Sequence, residues 1–294
     1  MRIYDQIERR IAIDKGWSGD RKFKLITNQG ESYLLRISPE EKWERLLDSF
    51  SKMQWLAEQG IPMCRPVEIG RCDDGVYVIH SWVSGRDAED VIPSVSLQKQ
   101  YQYGVDAGRI LKTIHTLPAP SGIQPWKIRF GTKLDLKIRR YEECPLKYEN
   151  GQCFLDYLRN NRNLINDRPQ TYQHGDFHSG NMMIDNDSVL TVIDFDRDDY
   201  GDPWHEFNRI VWSAQLSPQF ASGIVDGYFD EEVPLEFWKT LAYYICYNAL
   251  SSLPWAIRFG EQEIQVMRRQ AKQILSWYDD MNLIIPNWYI KNDR

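Results

Sequence analysis

The chain has 294 residues, of which 42% are hydrophobic and 27% are charged, the ordinary balance of a globular protein with a large core. Its formal net charge of −6 argues against a nucleic-acid surface, which normally shows a basic excess. The longest apolar run, LAYYICYNAL, is too short for a membrane span. Charges also interrupt the N-terminal segment where a signal peptide needs an apolar core. The five cysteines form no CxxC pair, which favours reduced thiols. We therefore expect a cytoplasmic protein that binds neither nucleic acid nor membrane, and the sequence leaves its oligomeric state open.

The first part of the chain is predicted to be rich in strands. FKLITNQGESYLLRIS contains two β-rich runs, 23–27 and 32–37, joined by a turn that ends at Gly30, which predicts a hairpin. Apolar residues then recur at helical spacing between Pro39 and Gly60, which predicts a helix. VEIG and VYVIHSWV are predicted as two further strands. This region is expected to form a small antiparallel sheet with one helix packed on it.

The pattern becomes helical after VSG at 83–85. LQKQYQYGVDAGRILKTIHTLP predicts a long amphipathic helix that ends before Pro118, and more helix follows in the 130s and 150s. Short strands and loops are predicted between 171 and 200, and almost only helix after them. The sequence therefore predicts an α+β, bilobal architecture, with a strand-rich lobe at 1–83 and a helix-rich lobe at 84–294.

The segment HGDFHSGN, at 174–181, has two chemical interpretations. Asp176 and His178 form a D-x-H pair, which could bind a metal in a metallophosphoesterase-type site. Such a site needs several further ligands, and downstream only His205 remains among the histidines. The sequence therefore supports a metal-binding site less well than the alternative, which is the catalytic loop of a kinase.

The second interpretation is the catalytic loop of a kinase. Phosphoryl transfer needs a carboxylate that accepts the hydroxyl proton, and an amide and a second carboxylate that hold Mg²⁺. Asp176 and Asn181 have the required D-x-x-x-x-N spacing, a predicted hairpin follows them, and Asp194 comes directly after that hairpin. No Walker A sequence occurs in the chain, which excludes a P-loop kinase. The ordered set favours a kinase over a metal-dependent hydrolase.

HGDFHSGN followed by VIDFDRDDYGDPWHEF resembles the paired signature of the aminoglycoside phosphotransferase and choline kinase-like family, HGDxxxxN followed by IDxxxxxxGDPxxD/E. The resemblance extends over nearly the whole chain, through IPMCRPVEIG, the connector SWVSG and IHTLP. It implies a protein-kinase-like fold, with a small antiparallel-sheet N-terminal lobe that binds nucleotide and a large, mostly helical C-terminal lobe. The signature is specific for the family and not for the substrate.

The resemblance assigns roles to the residues of the signature. Asp176 matches the catalytic base, and Asn181 and Asp194 match the Mg²⁺ ligands. His174 and Asp202 match residues that mainly brace the active-site loops. His178 falls at a variable position, where a locally bonded loop histidine is expected.

The resemblance also implies a nucleotide site in the first lobe. Arg36 stands on the strand that usually carries a phosphate-binding lysine; arginine can also contact phosphate oxygens, although with a different geometry. Glu44 and Asp48, one helical turn apart, are both candidates for its acidic partner. Ser81 and Val83 lie where the backbone of the connector would bind adenine.

Two segments carry weaker signals. KGWSGD, with Gly16 and Gly19, falls where the family has its nucleotide-covering loop, although two glycines often mark an ordinary turn. The loop after the second metal ligand is acidic, which could attract a cationic acceptor or form only a solvated surface. The candidate substrate-binding residues of this region are Asp196, Asp198, Asp199 and Glu206.

These observations predict a small-molecule kinase that uses Mg²⁺ and transfers the γ-phosphoryl group of ATP or GTP to a hydroxyl of a polar acceptor. A cationic, aminoglycoside-like antibiotic is the first candidate acceptor. The alternatives are a metabolic kinase of the choline, homoserine or thiosugar type, and a non-catalytic, kinase-like nucleotide-binding protein. Arg36 is the feature that favours the non-catalytic alternative, whereas the complete set of base, amide and carboxylate opposes it.

Overall fold

The computed structural model describes residues 2–14 and 19–291, which form two compact units. One unit holds the chain up to Ala88 together with Asn181–Arg197, and the other holds Glu89–Gly180 and the chain from Asp198 onward. The strands, in chain order, are β1 (Ile7–Ala12), β2 (Arg21–Thr27), β3 (Ser32–Ser38), β4 (Pro66–Cys72), β5 (Gly75–Ser81), β6 (Gly85–Asp87), β7 (Thr171–Gln173), β8 (Met182–Asp185), β9 (Leu190–Val192) and β10 (Asp199–Gly201). The α-helices are α1 (Trp43–Glu58), α2 (Ala88–Val91), α3 (Leu97–Ile114), α4 (Trp126–Glu143), α5 (Gln152–Asn160), α6 (Ile210–Leu216), α7 (Pro218–Phe229), α8 (Leu235–Ala256) and α9 (Glu261–Tyr278).

The first unit is built on an antiparallel sheet with the strand order β1-β2-β3-β5-β4. The predicted hairpin is the β2–β3 pair, and its turn ends at Gly30, whose φ of +80° favours glycine. The predicted helix is α1, and Gly60 follows it with a φ of +77°. β1 is a strand that the sequence pattern had not singled out. The buried centre of the sheet consists of Leu25, Leu35, Ile37, Tyr77 and Ile79.

The hairpin that follows the HGDFHSGN segment belongs to the first unit. β8 pairs with both β6 and β9, and the backbone N–H of Cys64 donates a hydrogen bond to the carbonyl of Val192 at 3.0 Å. The sequence-based division after residue 83 had instead placed this hairpin with the helical lobe. The pairing links segments about a hundred residues apart, so local periodicity in the sequence cannot predict it.

The second unit is mostly helical, and its helices α3 and α7 approach each other closely. A Cβ atom at Gly104 would lie 2.1 Å from the carbonyl oxygen of Phe220, and one at Gly223 would lie 2.2 Å from that of Tyr101. Only glycine therefore fits at these two crossing points. α3 corresponds to the long amphipathic helix predicted from the sequence, and the Ser96 side chain caps its N-terminus.

The long helix α8 carries much of the aromatic core of the second unit. Phe237, Tyr243 and Tyr244 on this helix are fully buried. Most rings of this segment therefore stabilise the core, as large aromatic side chains do. Among residues 2–14 and 19–291, no helix, α8 included, is both long and apolar enough to cross a membrane.

A buried histidine in β5 is expected to make the stability of the protein depend on pH. His80 is 8% exposed, and burial lowers the pKa of its imidazole to about 4. The unfolded chain takes up this proton near pH 6.5, well before the folded protein does, so stability is lost as the pH falls from 6.5 towards 4. We expect a slope of up to about 1.4 kcal/mol per pH unit from this group.

Urea unfolding at pH 7.5 and pH 5.0 would measure the contribution of His80. The variant His80→Asn is expected to lose less stability over this interval than the unmodified protein. His178→Asn is a suitable control, because that histidine lies in a loop and its side chain is 20% exposed. Equal pH dependence in the unmodified protein and His80→Asn would contradict the prediction.

Candidate active site

The two predicted metal ligands lie side by side in the first unit. Asn181 directly precedes β8, and its carbonyl oxygen accepts a hydrogen bond from the backbone N–H of Ile193 at 3.0 Å. This bond holds the next residue, Asp194, close to Asn181. Asp194 has a φ of +65°, in the left-handed region that non-glycine residues seldom adopt. Such strain often accompanies functional sites, because the surrounding structure must hold the backbone in place.

Arg36 anchors the Asp194 carboxylate. Its guanidinium lies 2.8 Å from Asp194 Oδ1 through Nη1 and 2.5 Å from Asp196 Oδ2 through Nη2. Nη2 also lies 3.6 Å from Oδ2 of Asp20. Lys22, on the neighbouring strand β2, places its Nζ 3.8 Å from the second oxygen of Asp194. The metal-ligand candidate therefore sits among cations that can also meet phosphate oxygens.

Asp20 is a member of this cluster that sequence analysis did not identify. Its side chain is 1% exposed and lies 2.7 Å from the Lys42 ammonium. Burial acts to raise the pKa of Asp20, but hydrogen bonds from Lys42 and Ser38 and the charge of Arg36 outweigh it and leave the pKa lowered. Its position directly after Gly19, in KGWSGD, was the available signal. Gly16 of the same segment lies outside the described residues.

The predicted acidic partners of Arg36 lie on α1. Both Glu44 and Asp48 are exposed, and Asp48 forms an ion pair with Lys52 of the same helix. α1 does contact the metal loop, because Arg45 donates a hydrogen bond to the carbonyl oxygen of Asp196 at 2.6 Å. A role for Glu44 or Asp48 beside the nucleotide stays a prediction.

The connector after β5 offers backbone groups for a base. Ser81 is already engaged, since its N–H donates to the Arg65 carbonyl at 2.8 Å and its hydroxyl accepts from the Arg65 N–H at 2.8 Å. Val83 lies outside the strands, and within the described part of the chain its backbone makes no hydrogen bond. Of the two predicted adenine contacts, Val83 has the more available backbone.

The predicted catalytic base lies in the second unit. The Asp176 side chain is 14% exposed, and its Oδ1 is 3.1 Å from Nε of Arg209 and 3.6 Å from Nε2 of His178. The backbone N–H of Asp176 donates to Nδ1 of the fully buried His174 at 3.2 Å. Gly180 donates its N–H to Nδ1 of His178 at 3.1 Å, so this histidine is bonded within the loop.

Glu206 has a different position from the one expected of a substrate contact. It is 3% exposed, and both its carboxylate oxygens accept the N–H of Gly175, at 3.0 and 3.2 Å. Burial acts to raise the pKa of Glu206, but interactions with His115 and His174 and the Gly175 hydrogen bond leave it lowered. The carboxylate thus holds the backbone of the catalytic loop from inside the protein.

Asp202 lies at the centre of a buried hydrogen-bond network. It is fully buried and accepts bonds from Nε and Nη2 of Arg168, at 2.7 and 3.0 Å. The hydroxyl of Tyr244 donates to it at 2.6 Å and the N–H of Trp204 at 3.0 Å. The network fixes the turn between β10 and the segment that carries Glu206. Arg168, its cation, was not predicted from the sequence.

Replacing Arg168 by glutamine is expected to lower the free energy of unfolding by about 3 kcal/mol, because the Asp202 carboxylate would stay buried without its cation. Urea denaturation would measure the change. Arg162→Gln is the matched control, since it breaks an exposed ion pair with Asp135 and should cost less than about 1 kcal/mol. Similar losses in the two variants would contradict the prediction.

Two of the other candidate substrate-binding acids, Asp196 and Asp199, have basic partners within the protein. Asp196 meets Arg36, as described above, and Asp199 lies 3.1 Å from Arg129 and 3.6 Å from Lys133. Asp198 is partly buried. The negative charge of this loop is therefore balanced to a large extent by cations of the chain itself.

The donor set at Asn181 and Asp194 fits Mg²⁺. This ion takes oxygen ligands and commonly binds through one or two side chains, with water and substrate phosphates completing its shell. In residues 2–14 and 19–291, no cluster of three or more His, Cys, Asp or Glu could hold a metal ion alone.

Comparison with known proteins identifies the family. The model of the phosphotransferase enzyme family, APH, matches residues 10–238. The chain belongs to this family. This confirms the resemblance that the HGDFHSGN signature indicated.

A curated relative is the homoserine kinase of Methylobacillus flagellatus, which is 26% identical to the chain over 188 residues. The matching region makes up 58% of this chain and 53% of the relative, so the chain spans about half the length of that protein.

Solved structures confirm the α+β, protein-kinase-like fold. A thermostable form of the aminoglycoside phosphotransferase APH(4)-Ia has a TM-score of 0.66 at 17% identity, covering 92% of this chain and 95% of that one. An amicoumacin kinase in complex with AMP-PNP and Ca²⁺ also has a TM-score of 0.66, at 16% identity, covering 96% of this chain and 93% of the other. A GDP complex of an aminoglycoside 2'-phosphotransferase of type IIIa has the same TM-score at 15% identity, covering 94% of each chain.

Proposed function

We propose that the protein is a small-molecule kinase that transfers the γ-phosphoryl group of ATP or GTP to a hydroxyl of a polar acceptor. The observation that carries the proposal is the arrangement at the end of the β8–β9 hairpin. There, the hydrogen bond from the N–H of Ile193 to the carbonyl of Asn181 holds Asp194 beside Asn181. The Arg36 guanidinium forms an ion pair with the Asp194 carboxylate. An amide, a carboxylate and a cation are the groups that a site for a metal-bound nucleotide requires.

The chemistry needs few groups from the protein. Asp176 would accept the proton of the acceptor hydroxyl as the hydroxyl oxygen forms its bond to the γ-phosphorus. The bond between the γ-phosphorus and the bridging oxygen breaks at the same time, and its electron pair leaves with the nucleoside diphosphate. Asn181 and Asp194 would hold Mg²⁺, which when bound neutralises charge on the phosphates. Arg36 and Lys22 would meet the same phosphates, and the backbone of Val83 would meet the base.

The related structures support ATP or GTP as the phosphoryl donor. The APH(4)-Ia enzyme has been solved with ADP and with AMP-PNP, each together with hygromycin B, and the type IIIa enzyme with GDP. An ATP-type donor is therefore expected here, and GTP stays a second candidate.

The acceptor of this chain has two candidate classes. A cationic aminoglycoside was the first candidate on the basis of the acidic loop, but Asp196, Asp199 and Glu206 are all engaged within the protein. A small metabolic hydroxyl compound, of the kind that a homoserine kinase phosphorylates, is the second candidate. The similarity to the Methylobacillus flagellatus protein favours it.

A screen of nucleotide consumption would test the proposal. Purified protein would be offered ATP or GTP with Mg²⁺ and a panel of aminoglycosides, other antibiotics, hydroxy amino acids and small alcohols. We expect Mg²⁺-dependent consumption with one acceptor class. Nucleotide binding that is tight and indifferent to Mg²⁺, with no consumption for any acceptor, would instead identify a non-catalytic nucleotide-binding protein.

A further inference from the structure

Arg36 lies among three carboxylates of the first unit at unequal distances. Its Nη1 is 2.8 Å from Oδ1 of Asp194, and its Nη2 is 2.5 Å from Oδ2 of Asp196. Asp20, which directly precedes β2, places its Oδ2 3.6 Å from Nη2. The first two distances are those of hydrogen bonds, whereas the third is slightly too long for one.

The oxygen of Asp20 that lies nearest to Arg36 lacks a hydrogen bond. Oδ1 of Asp20 accepts a bond from Nζ of Lys42 at 2.7 Å. Oδ2 is buried, and within residues 2–14 and 19–291 no donor bonds to it. An unsatisfied buried acceptor costs free energy. A movement of the Arg36 guanidinium by about 0.7 Å would bring Nη2 to the usual distance from this oxygen and supply the missing donor.

Asp194 and Asp20 differ in their access to solvent. The Asp194 side chain is 34% exposed, whereas that of Asp20 is 1% exposed. A metal ion that enters the site can therefore reach Asp194 but not Asp20. A carboxylate that binds Mg²⁺ shares its negative charge with the ion, so its attraction for Arg36 weakens. Arg36 is itself 7% exposed, so bulk water does not replace the partner that it loses.

We propose that Asp20 is a positioning residue, which forms a hydrogen bond with Arg36 when Asp194 binds Mg²⁺. Nη2 carries two N–H groups, so it can donate to Asp196 with one and to Asp20 with the other. Nη1 then leaves Asp194 and can donate to a phosphate oxygen of the nucleotide. The inference rests on the proposed kinase function and concerns the metal-bound nucleotide of the same site.

This arrangement makes the affinity for Mg²⁺ depend on Asp20. In the variant Asp20→Asn, Asp194 would have to leave a buried guanidinium beside which only Asp196, of the three carboxylates, remains. The binding of Mg²⁺ would then include the cost of a poorly compensated buried charge. A hydrogen bond between two charged groups corresponds to roughly 10- to 100-fold in affinity.

Calorimetric titration of AMP-PNP at increasing Mg²⁺ concentration would measure this dependence without turnover. We expect Asp20→Asn to need roughly 10-fold more Mg²⁺, or more, for half of the gain in nucleotide affinity. Its affinity for AMP-PNP without Mg²⁺ should not fall, because Arg36 keeps Asp194 as a partner when no metal is bound. A purely structural role of Asp20 would instead weaken nucleotide binding equally under both conditions.

The variant Lys42→Met tests the direction of the effect. It removes the other cation that contacts Asp20, at a side chain that is 39% exposed, so the Asp20 carboxylate becomes more available to Arg36. The Mg²⁺ requirement should therefore not rise. Asp74→Asn is the matched control for Asp20→Asn, since it breaks an exposed ion pair with Arg21 and is expected to change neither affinity. Melting temperatures would show that each variant is folded.

A crystal structure of the unmodified protein with AMP-PNP and Mg²⁺ tests the inference without any variant. We expect Nη2 of Arg36 within about 3.2 Å of Oδ2 of Asp20, and a phosphate oxygen beside Nη1. Arg36 still bonded to Asp194 and apart from Asp20 would overturn the inference. An unchanged Mg²⁺ requirement in Asp20→Asn, or an equal rise in Lys42→Met, would do the same, and the kinase proposal would stand. If the unmodified protein binds the nucleotide without regard to Mg²⁺, the kinase proposal itself fails.

Discussion

Replacing Asp176 by asparagine is expected to lower kcat by about 10²- to 10⁴-fold, the usual contribution of a positioned general base. Asparagine has nearly the same shape, and its amide oxygen can still lie beside Nε of Arg209, which is 3.1 Å from Oδ1 of Asp176. It cannot take up the proton of the acceptor hydroxyl. Affinity for the nucleotide should change little, because the predicted metal and phosphate groups lie elsewhere in the chain.

Steady-state kinetics with the acceptor found in the screen, together with calorimetric binding of nucleotide, would measure both effects. Asp187→Asn is a matched control, since the same substitution is made in an exposed turn between β8 and β9. That variant should keep full activity. A kcat for Asp176→Asn within a factor of about ten of the unmodified protein would assign the base to another residue.

The sequence predicted those parts of the structure that depend on local patterns. The β2–β3 hairpin and α1 follow from alternation, helical spacing and the glycines that end them. The catalytic loop was recognisable because its residues stand at fixed spacing within one short segment. Local signals of this kind can be detected in a single sequence, because they reflect the geometry of individual helices, strands and turns.

Contacts between distant segments could not be predicted in this way. Arg168 lies 34 residues from Asp202, and Arg129 lies 70 residues from Asp199. No rule of sequence spacing predicts such pairs, so neither of these two contacts was predicted from the sequence. The close crossing of α3 and α7 at Gly104 and Gly223 is of the same kind.

The acidic loop shows why charges counted along a sequence can mislead. DRDDYGD looks like an attractive surface for a cationic acceptor, but its charge depends on what the fold brings beside it. Arg36 arrives from β3, and Arg129 and Lys133 arrive from α4. Once these partners are included, two carboxylates of the loop, Asp196 and Asp199, have cations of the protein itself as partners, so the loop offers less negative charge to an acceptor than its sequence suggests.

Replacing Asp194 by asparagine is expected to lower kcat/KM by about 1000-fold or more, because a catalytic metal ion contributes several kcal/mol of charge stabilisation. The variant should also bind nucleotide with little dependence on Mg²⁺. Calorimetric titration of the nucleotide, with and without Mg²⁺, would measure this change directly. Asparagine keeps the size of the side chain and is tolerated in the left-handed conformation that Asp194 adopts, so the loop should persist.

The neighbouring Asp196 provides a control for the loss of an ion pair. Both carboxylates contact Arg36, Asp194 at 2.8 Å and Asp196 at 2.5 Å, so each substitution removes one partner of the same guanidinium. Only Asp194 lies beside Asn181, through the Ile193 hydrogen bond. If Asp194 acts as a metal ligand, Asp194→Asn should remove the Mg²⁺ dependence of nucleotide binding and Asp196→Asn should keep it. Equal effects of the two substitutions would mean that both residues act by holding Arg36, and the metal site would then have to be sought elsewhere.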